Sequence, residues 1–397
     1  MSPISFLFGT VCLVHASAIA IIGYVPDYRF NGIDWDKVVS QTTHLVLFSA
    51  EPRVDGLRNR DVIRSVLRPN SALSAALQKA GSGAPKLLVS VGGAGRSQEF
   101  PDVIGNKKTR KRLAKQLLNL MQELPQLAGI DFDLQVQNPD YLSLAKLVMM
   151  LRTAVGSRGG QKPIFTMTFH ALAGVLNSFA TLTLKQQDSE EKRFVDLFDM
   201  CHAMTYTMMD QQGRHSSEKM DTDVVQAWLK YGMPLDHLTL GIPFFGVKNG
   251  LAPVTFREII SQERSFASSG SERTKDGFFF VNAENAVKKV KFAEEQGIAG
   301  LMIWELGQDA AEESISLLRH IWDAAKNKGI LHQLLGITPK EDHLFSVLTV
   351  LMGGYYFLRV MQLAMKPSPQ PLKSFPKAEA PEEKEEKEEV KEEKKDS

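Results

Sequence analysis

Eight short β-rich runs recur between Ile19 and Thr338, separated by stretches several of which carry a helical amphipathic pattern. The runs are Ala20–Tyr24, His44–Ser49, Lys86–Val91, Gly129–Leu134, Ile164–Phe169, Cys201–Thr207, Leu238–Ile242 and Ala299–Trp304. Two of the intervals read as the helices Thr109–Leu124 and Ala283–Gln296. Strands buried on both faces, alternating with helices that cover them, require a parallel sheet. Eight such units over residues 19–338 predict an α/β fold, a (β/α)8 TIM barrel, in preference to a doubly wound sheet. In that architecture the C-terminal ends of the strands carry function, so the residues that close these runs are the candidates.

The chain extends beyond the barrel at both ends. Residues 1–18 hold an apolar run, Ile4–Val14, followed by Ala16-Ser17-Ala18, the pattern of a signal peptide with its small-residue cleavage site; a buried first strand is the alternative. Residues 344–365 read LFSVLTVLMGGYYFLRVMQLAM, enough for ~33 Å of helix and therefore for one transmembrane span. Glu341, Asp342 and His343 precede it, and Arg359, Lys366, Lys373 and Lys377 close or follow it. The positive-inside rule then sets the barrel in the lumen and the C-terminus in the cytosol, a type I single-pass protein. Residues 366–397 hold 8 Lys and 10 acidic residues with little apolar surface to bury, so a disordered, Lys/Glu-rich cytosolic tail is expected. Lys394 and Lys395 near the end of that tail are similar to a dilysine retrieval motif. They point to the endoplasmic reticulum membrane and to coat retrieval machinery as a partner, with another secretory-pathway or cell-surface membrane as the alternative.

Composition removes several classes of function. A net charge of +1 supplies no field for nucleic acid. Two cysteines, Cys12 and Cys201, support neither a disulfide scaffold nor a structural zinc cluster, and Cys12 is lost with the signal peptide. His170 and His202 lack ligand-spaced partners, so neither a metal nor a cofactor is expected.

The strand ends carry a recognisable series. Lys86-Leu-Leu-Val-Ser90-Val-Gly92-Gly93 matches an SxGG motif, and Gly129-Ile-Asp131-Phe-Asp133-Leu-Gln135 aligns with DGxDxDxE. Met204-Thr-Tyr206-Thr207 is similar to M-x-Y-D, Gly241-Ile-Pro243-Phe-Phe-Gly246 to G-x-P-x-Y-G, and Gly300-Leu-Met-Ile-Trp304 to G-x-x-x-W. With all five in order, the chain resembles glycoside hydrolase family 18, the chitinases and chitinase-like lectins. The interval between the seventh and eighth runs is too short for the α+β insertion that some members carry.

In members that cleave, the resemblance implies that the last acid of the signature protonates the leaving oxygen. The Asp before it orients the substrate acetamido group, whose carbonyl attacks the anomeric carbon. Here the acid position is Gln135, and an amide donates a hydrogen bond but delivers no proton. Ala128 replaces the first Asp of the signature, Leu134 its Trp and Thr207 the Asp of the sixth motif. No catalytic residue is therefore assigned, and the motif Asp131, Asp133, Gln135 is degenerate. Asp131 and Asp133 alternate with apolar residues and share the inward face, where they must be hydrogen-bonded or protonated. Sugar-binding candidates are Tyr24, Phe48, Asp133, Gln135, Tyr206 and Trp304. Glu305 and Asp210 are the acids available as replacements. The expected function is a membrane-anchored, catalytically inactive chitinase-like protein holding an N-acetylglucosamine-containing glycan. The alternatives are an interaction scaffold for a luminal protein, and a weak glycosidase using another acid.

Overall fold

The computed structural model describes residues 19–156, 162–184, 191–249, 251–267 and 270–326. Its strands are β1 (Ala20–Pro26), β2 (His44–Arg53), β3 (Lys86–Gly92), β4 (Leu127–Asp133), β5 (Ile164–His170), β6 (Met200–Met204), β7 (Leu238–Pro243) and β8 (Gly300–Trp304). Each is followed by a helix: α1 (Trp35–Ser40), α2 (Ala72–Ala80), α3 (Lys107–Glu123), α4 (Tyr141–Gly156), α5 (Ala173–Ala180), α6 (Glu218–Lys230), α7 (Ala283–Gln296) and α8 (Leu317–Lys326). All eight strands pair in parallel, and β1 pairs with both β2 and β8, which closes the sheet. The (β/α)8 barrel expected from the sequence is the fold observed.

Two-residue alternation sorts every strand. Ile21, Leu45, Leu47, Leu87, Val89, Ile130, Phe132, Phe165, Met167, Leu240 and Leu301 join the layer between strands and helices. Ile22, Tyr24, Val46, Phe48, Leu88, Met200, Met204, Tyr206 and Met302 form a second, interior cluster. Both sets leave water on folding, each large apolar side chain contributing roughly 1.5–3 kcal/mol. Where the interior positions are polar, the register aligns them. Ser90 lies beside Asp131 and Asp131 beside Thr166, while Asp133 lies beside Thr168, which neighbours His202.

The helices start where their caps dictate. Asn106 Oδ1 accepts from the backbone N–H groups of Lys108 and Thr109, so α3 begins two residues before the periodicity suggested. Helix α7 spans the expected residues, from the Asn282 cap to Gly297 in the left-handed conformation. The sixth strand is shorter than read. Beyond Met204 the chain turns, with Thr207 N–H bonded to the Met204 carbonyl, so Tyr206 and Thr207 sit on a turn. Between β7 and β8 lie a small antiparallel pair, Phe245–Gly246 with Val254–Thr255, and the helix Phe256–Gln262.

Among the described residues no helix is long and apolar enough to cross a membrane. The expected signal peptide (1–18), span (344–365) and tail (366–397), with Lys394 and Lys395, lie outside those residues.

Candidate functional site

The ends of β3 and β4 are pinned together by Ser97. Its hydroxyl oxygen accepts from Gly93 N–H at 2.9 Å and Gln135 N–H at 3.3 Å, and lies 3.0 Å from the carbonyls of Gly93 and Asp133. Gly92 and Gly93 permit this approach. Both have φ above +90°, and an added Cβ would lie 2.4 Å from the Asp133 carbonyl oxygen and 2.2 Å from the Phe48 ring. Close packing is therefore the role of the glycine pair in SxGG.

Asp131 and Asp133 both point into the barrel and are fully buried. Asp131 accepts from Ser90 at 2.9 Å, Thr166 at 2.8 Å and Thr168 at 3.2 Å. Burial raises its pKa, and these hydroxyls oppose the rise. Asp133 is less well served. Its Oδ2 accepts from Gln135 Nε2 at 2.9 Å, while its buried Oδ1 has no hydrogen-bond partner. Burial, and then the negative charge of Asp131, push its pKa well above the usual carboxylate range, with Gln135 opposing. The two carboxyl groups titrate as a coupled pair, both displaced above the usual carboxylate range.

Gln135, half-buried, also directs Nε2 toward Met204 Sδ at 3.7 Å. The Tyr24 hydroxyl meets Thr168 Oγ1 at 2.8 Å, and burial with the nearby Asp131 charge raises its pKa, so it stays neutral. Trp304, at the end of β8, is half-buried; its ring lies 4.8 Å from Phe48 and 5.8 Å from Tyr24. Tyr206 is buried, its hydroxyl 3.8 Å from Met302 Sδ. Tyr24, Phe48, Asp133, Gln135, Tyr206 and Trp304 thus converge on one end of the barrel, but only Gln135 and Trp304 among them are more than slightly exposed.

The substituted positions are equally definite. Thr207 is exposed and donates back to the Met204 carbonyl, and Leu134 is buried in the outer core. Neither replacement acid stands free. Glu305 is fully buried, paired with Arg29 at 3.0 Å and bonded by Gly307 N–H at 2.7 Å. Asp210 is paired with Arg214 at 2.7 Å within its own turn. His202 is buried, 2.7 Å from Thr239 Oγ1, and burial lowers its pKa to about 3, so it is a neutral core residue. Among the described residues no group of His, Cys, Asp and Glu is arranged to hold a metal.

Ser90 and Met204 entered only as motif letters, and Thr166, Thr168 and the Met302 thioether were not singled out in the sequence. Ser90, Thr166 and Thr168 could have been found, because each shares the inward parity of its strand. Arg96 had no such signal. Its guanidinium donates to the Ser49 carbonyl and to Asp27, both at 2.9 Å, and lies over the Phe48 ring. A cavity of about 1120 Å³ opens elsewhere on the rim, lined by Phe169, Met208, His215, Asp221, Phe279 and Lys289.

A closed parallel barrel with paired carboxyl groups ending β4 and a Trp ending β8 defines the glycoside hydrolase type of (β/α)8 protein. The chain belongs to glycosyl hydrolases family 18, whose family profile matches residues 20–309. No curated protein matches the sequence. Solved structures do. A chitinase from Bacteroides thetaiotaomicron is similar at TM-score 0.63 and 20% identity, over 79% of this chain and 98% of that one. The GH18 chitinase ChiB of Flavobacterium johnsoniae is similar at TM-score 0.61 and 21% identity, over 78% and 94%. A GH18 chitinase of Cycas revoluta in complex with (GlcNAc)3 is similar at TM-score 0.61 and 19% identity, over 77% and 99%. At these identities the likeness is one of fold.

Proposed function

We propose that this family 18 protein binds an N-acetylglucosamine-containing glycan at the barrel mouth and does not cleave it. The observation that carries the reading is the contact of Gln135 Nε2 with Asp133 Oδ2. At the position of the general acid stands a group with hydrogen to donate in a bond and no proton to transfer in the working pH range. Loss of a general acid costs ~10²–10⁴ in rate, while a hydrogen bond to the glycosidic oxygen survives. Trp304 supplies a half-exposed aromatic face for a pyranose ring. Asp133, with its unpartnered Oδ1, supplies the polar contact to the acetamido group. Tyr24 and Phe48 pack against the Trp304 ring, and Tyr206 packs in the same interior cluster. Glu305 and Asp210 are both committed to arginines, which argues against either as a replacement acid.

The glycan site is held at a membrane, in the type I orientation, by residues 344–365, and Lys394 and Lys395 return the protein to the endoplasmic reticulum. Support for this comes from the sequence pattern: the small-residue site ending at Ala18, the apolar length and the charge flanking it.

The test is a titration of the full chain with chito-oligosaccharides, following Trp fluorescence and product release together. Saturable change that is absent from Trp304→Phe, with no product, is the expected result. Silence at millimolar ligand, or turnover by the unmodified chain, would sink the reading. Changing Lys394 and Lys395 to Ser is expected to release the protein from the reticulum; unchanged localisation removes the retrieval argument.

A further inference from the structure

Helix α3 is charged in the opposite sense to what a helix favours. Lys107, Lys108, Arg110, Lys111, Arg112 and Lys115 fall within its first nine positions, no acid lies in the first turn, and its one carboxylate, Glu123, is its last residue. A helix N-terminus carries partial positive charge, so cations there are opposed and acids favoured. Lys107 with Lys111, Lys111 with Lys115 and Lys108 with Arg112 also stand four residues apart, the spacing at which like charges repel.

Of these cations Arg110 alone finds a partner among the described residues, its guanidinium donating to the backbone carbonyls of Ile104 and Gly105. Lys107, Lys108, Lys111, Arg112 and Lys115 are exposed, and among the described residues none of the six cations has an ion-pair partner. Other helices follow the opposite rule. Helix α6 pairs Lys219 with Asp223, α7 pairs Lys288 with Glu284 and α8 pairs Arg319 with Asp323, each four apart. A local rule broken this thoroughly on one helix, and kept on three others, marks a binding surface.

We infer that the exposed face of α3 is a docking strip for a linear sulfated polysaccharide. Lys107, Lys111 and Lys115 form a row rising ~6 Å per step, a line of charge suited to a chain and not to a point ligand. Leu113, Ala114 and Leu117 are buried, so these turns offer no apolar wedge to a bilayer. The helix has no aromatic residue on which a base could stack. A sulfate ester keeps its charge at any physiological pH, as Lys and Arg do.

The strip shares no residue with the glycan site at the barrel mouth, and the experiment separates the two. The full chain is titrated with a sulfated glycosaminoglycan oligosaccharide and with the same oligosaccharide desulfated and N-acetylated. Binding of the sulfated form alone is expected, equal at pH 5.5 and 7.5, and falling roughly a hundredfold between about 50 and about 200 mM salt if five cations each release a counterion. Replacing Lys107, Lys111 and Lys115 together with Gln should weaken it at least tenfold. Replacing the same three with Arg should keep it, and both variants should retain the parent's response to chito-oligosaccharide. Equal binding of the desulfated form, or unchanged affinity in the Gln variant, overturns the inference. So does a preference for anionic phospholipid vesicles or single-stranded DNA over the sulfated chain.

Discussion

Gln135 donates its side-chain amide to Asp133 Oδ2 across 2.9 Å, and among the described residues no other hydrogen bond is made to the Asp133 carboxyl group. One contact therefore joins the last two polar positions of the β4 motif. In the proposed function, Gln at this position keeps a hydrogen bond within the motif and has no proton to transfer. The fully buried Asp131 is separately satisfied by Ser90, Thr166 and Thr168, so Asp133 is the poorly solvated member of the pair.

The first prediction concerns that substitution. Gln135→Glu restores a carboxyl group within reach of Asp133, whose raised pKa favours a proton shared between them. Chito-oligosaccharide hydrolysis is expected to rise above the unmodified chain by about 10² or more, the low end of what a general acid contributes. The missing acid at Thr207 caps the gain. Product analysis over an overnight incubation decides it. If the variant is as silent as the parent, Gln135 is not what silences the site, and Ala128, Leu134 and Thr207 become the suspects.

Asp133 also makes a prediction about pH. A carboxyl group with a raised folded-state pKa binds more protons folded than unfolded. Its stabilising contribution is complete below the ordinary carboxylate pKa of about 3.9 and is lost as pH rises through the elevated folded value. Buried His202 and half-buried His44, with pKa values lowered to about 3 and about 4, pull the other way, because they must charge on unfolding in acid. The informative quantity is therefore the difference between Asp133→Asn and the parent. Melting temperatures should coincide below pH 4, and the variant should lead by on the order of 2 °C or more at pH 7. A lead that does not grow with pH would show that Asp133 titrates normally.

Most of the barrel was legible because its physics is local. Alternation along β4 assigned Asp131 and Asp133 to the interior before any pairing was known, and a period near 3.6 located α7 to the residue. What resisted reading was set by contacts distant in sequence. The capping of α3 by Asn106 and the turn after Met204 moved element boundaries. The bond from Arg96 to the Ser49 carbonyl crosses from one strand end to another, and no spacing announces it. The burial of Tyr24, Phe48 and Tyr206 was likewise hidden, since a motif says which residues meet and not which of them covers the others.

Gly93 offers a test of how tightly the site is packed. Gly93→Ala places a Cβ 2.2 Å from the Phe48 ring at a φ of +97°. Strain and overpacking together should cost about 3 kcal/mol or more in urea unfolding. Gly95→Ala is the matching control, with φ +73° and no atom within 4 Å of the added carbon, so only strain of about 1 kcal/mol is expected. Similar losses in the two would mean that Phe48 moves aside freely and does not brace Trp304.

Helix α3 yields the last prediction, in which stability and binding part company. Reversing Lys107 and Lys108 to Glu sets acids at the N-terminus, each change worth about 0.3–1 kcal/mol from the helix dipole alone. Two of the like-charge pairs, Lys107 with Lys111 and Lys108 with Arg112, become opposite-charge pairs, each adding roughly 0.2–0.5 kcal/mol. The double variant should therefore unfold at higher urea, by about 1 kcal/mol or more, while losing its hold on sulfated chains. A residue kept for folding behaves the other way, since its removal costs stability. If the reversal destabilises the barrel, these lysines have structural partners, and the cationic face of α3 is scaffold and not a binding strip.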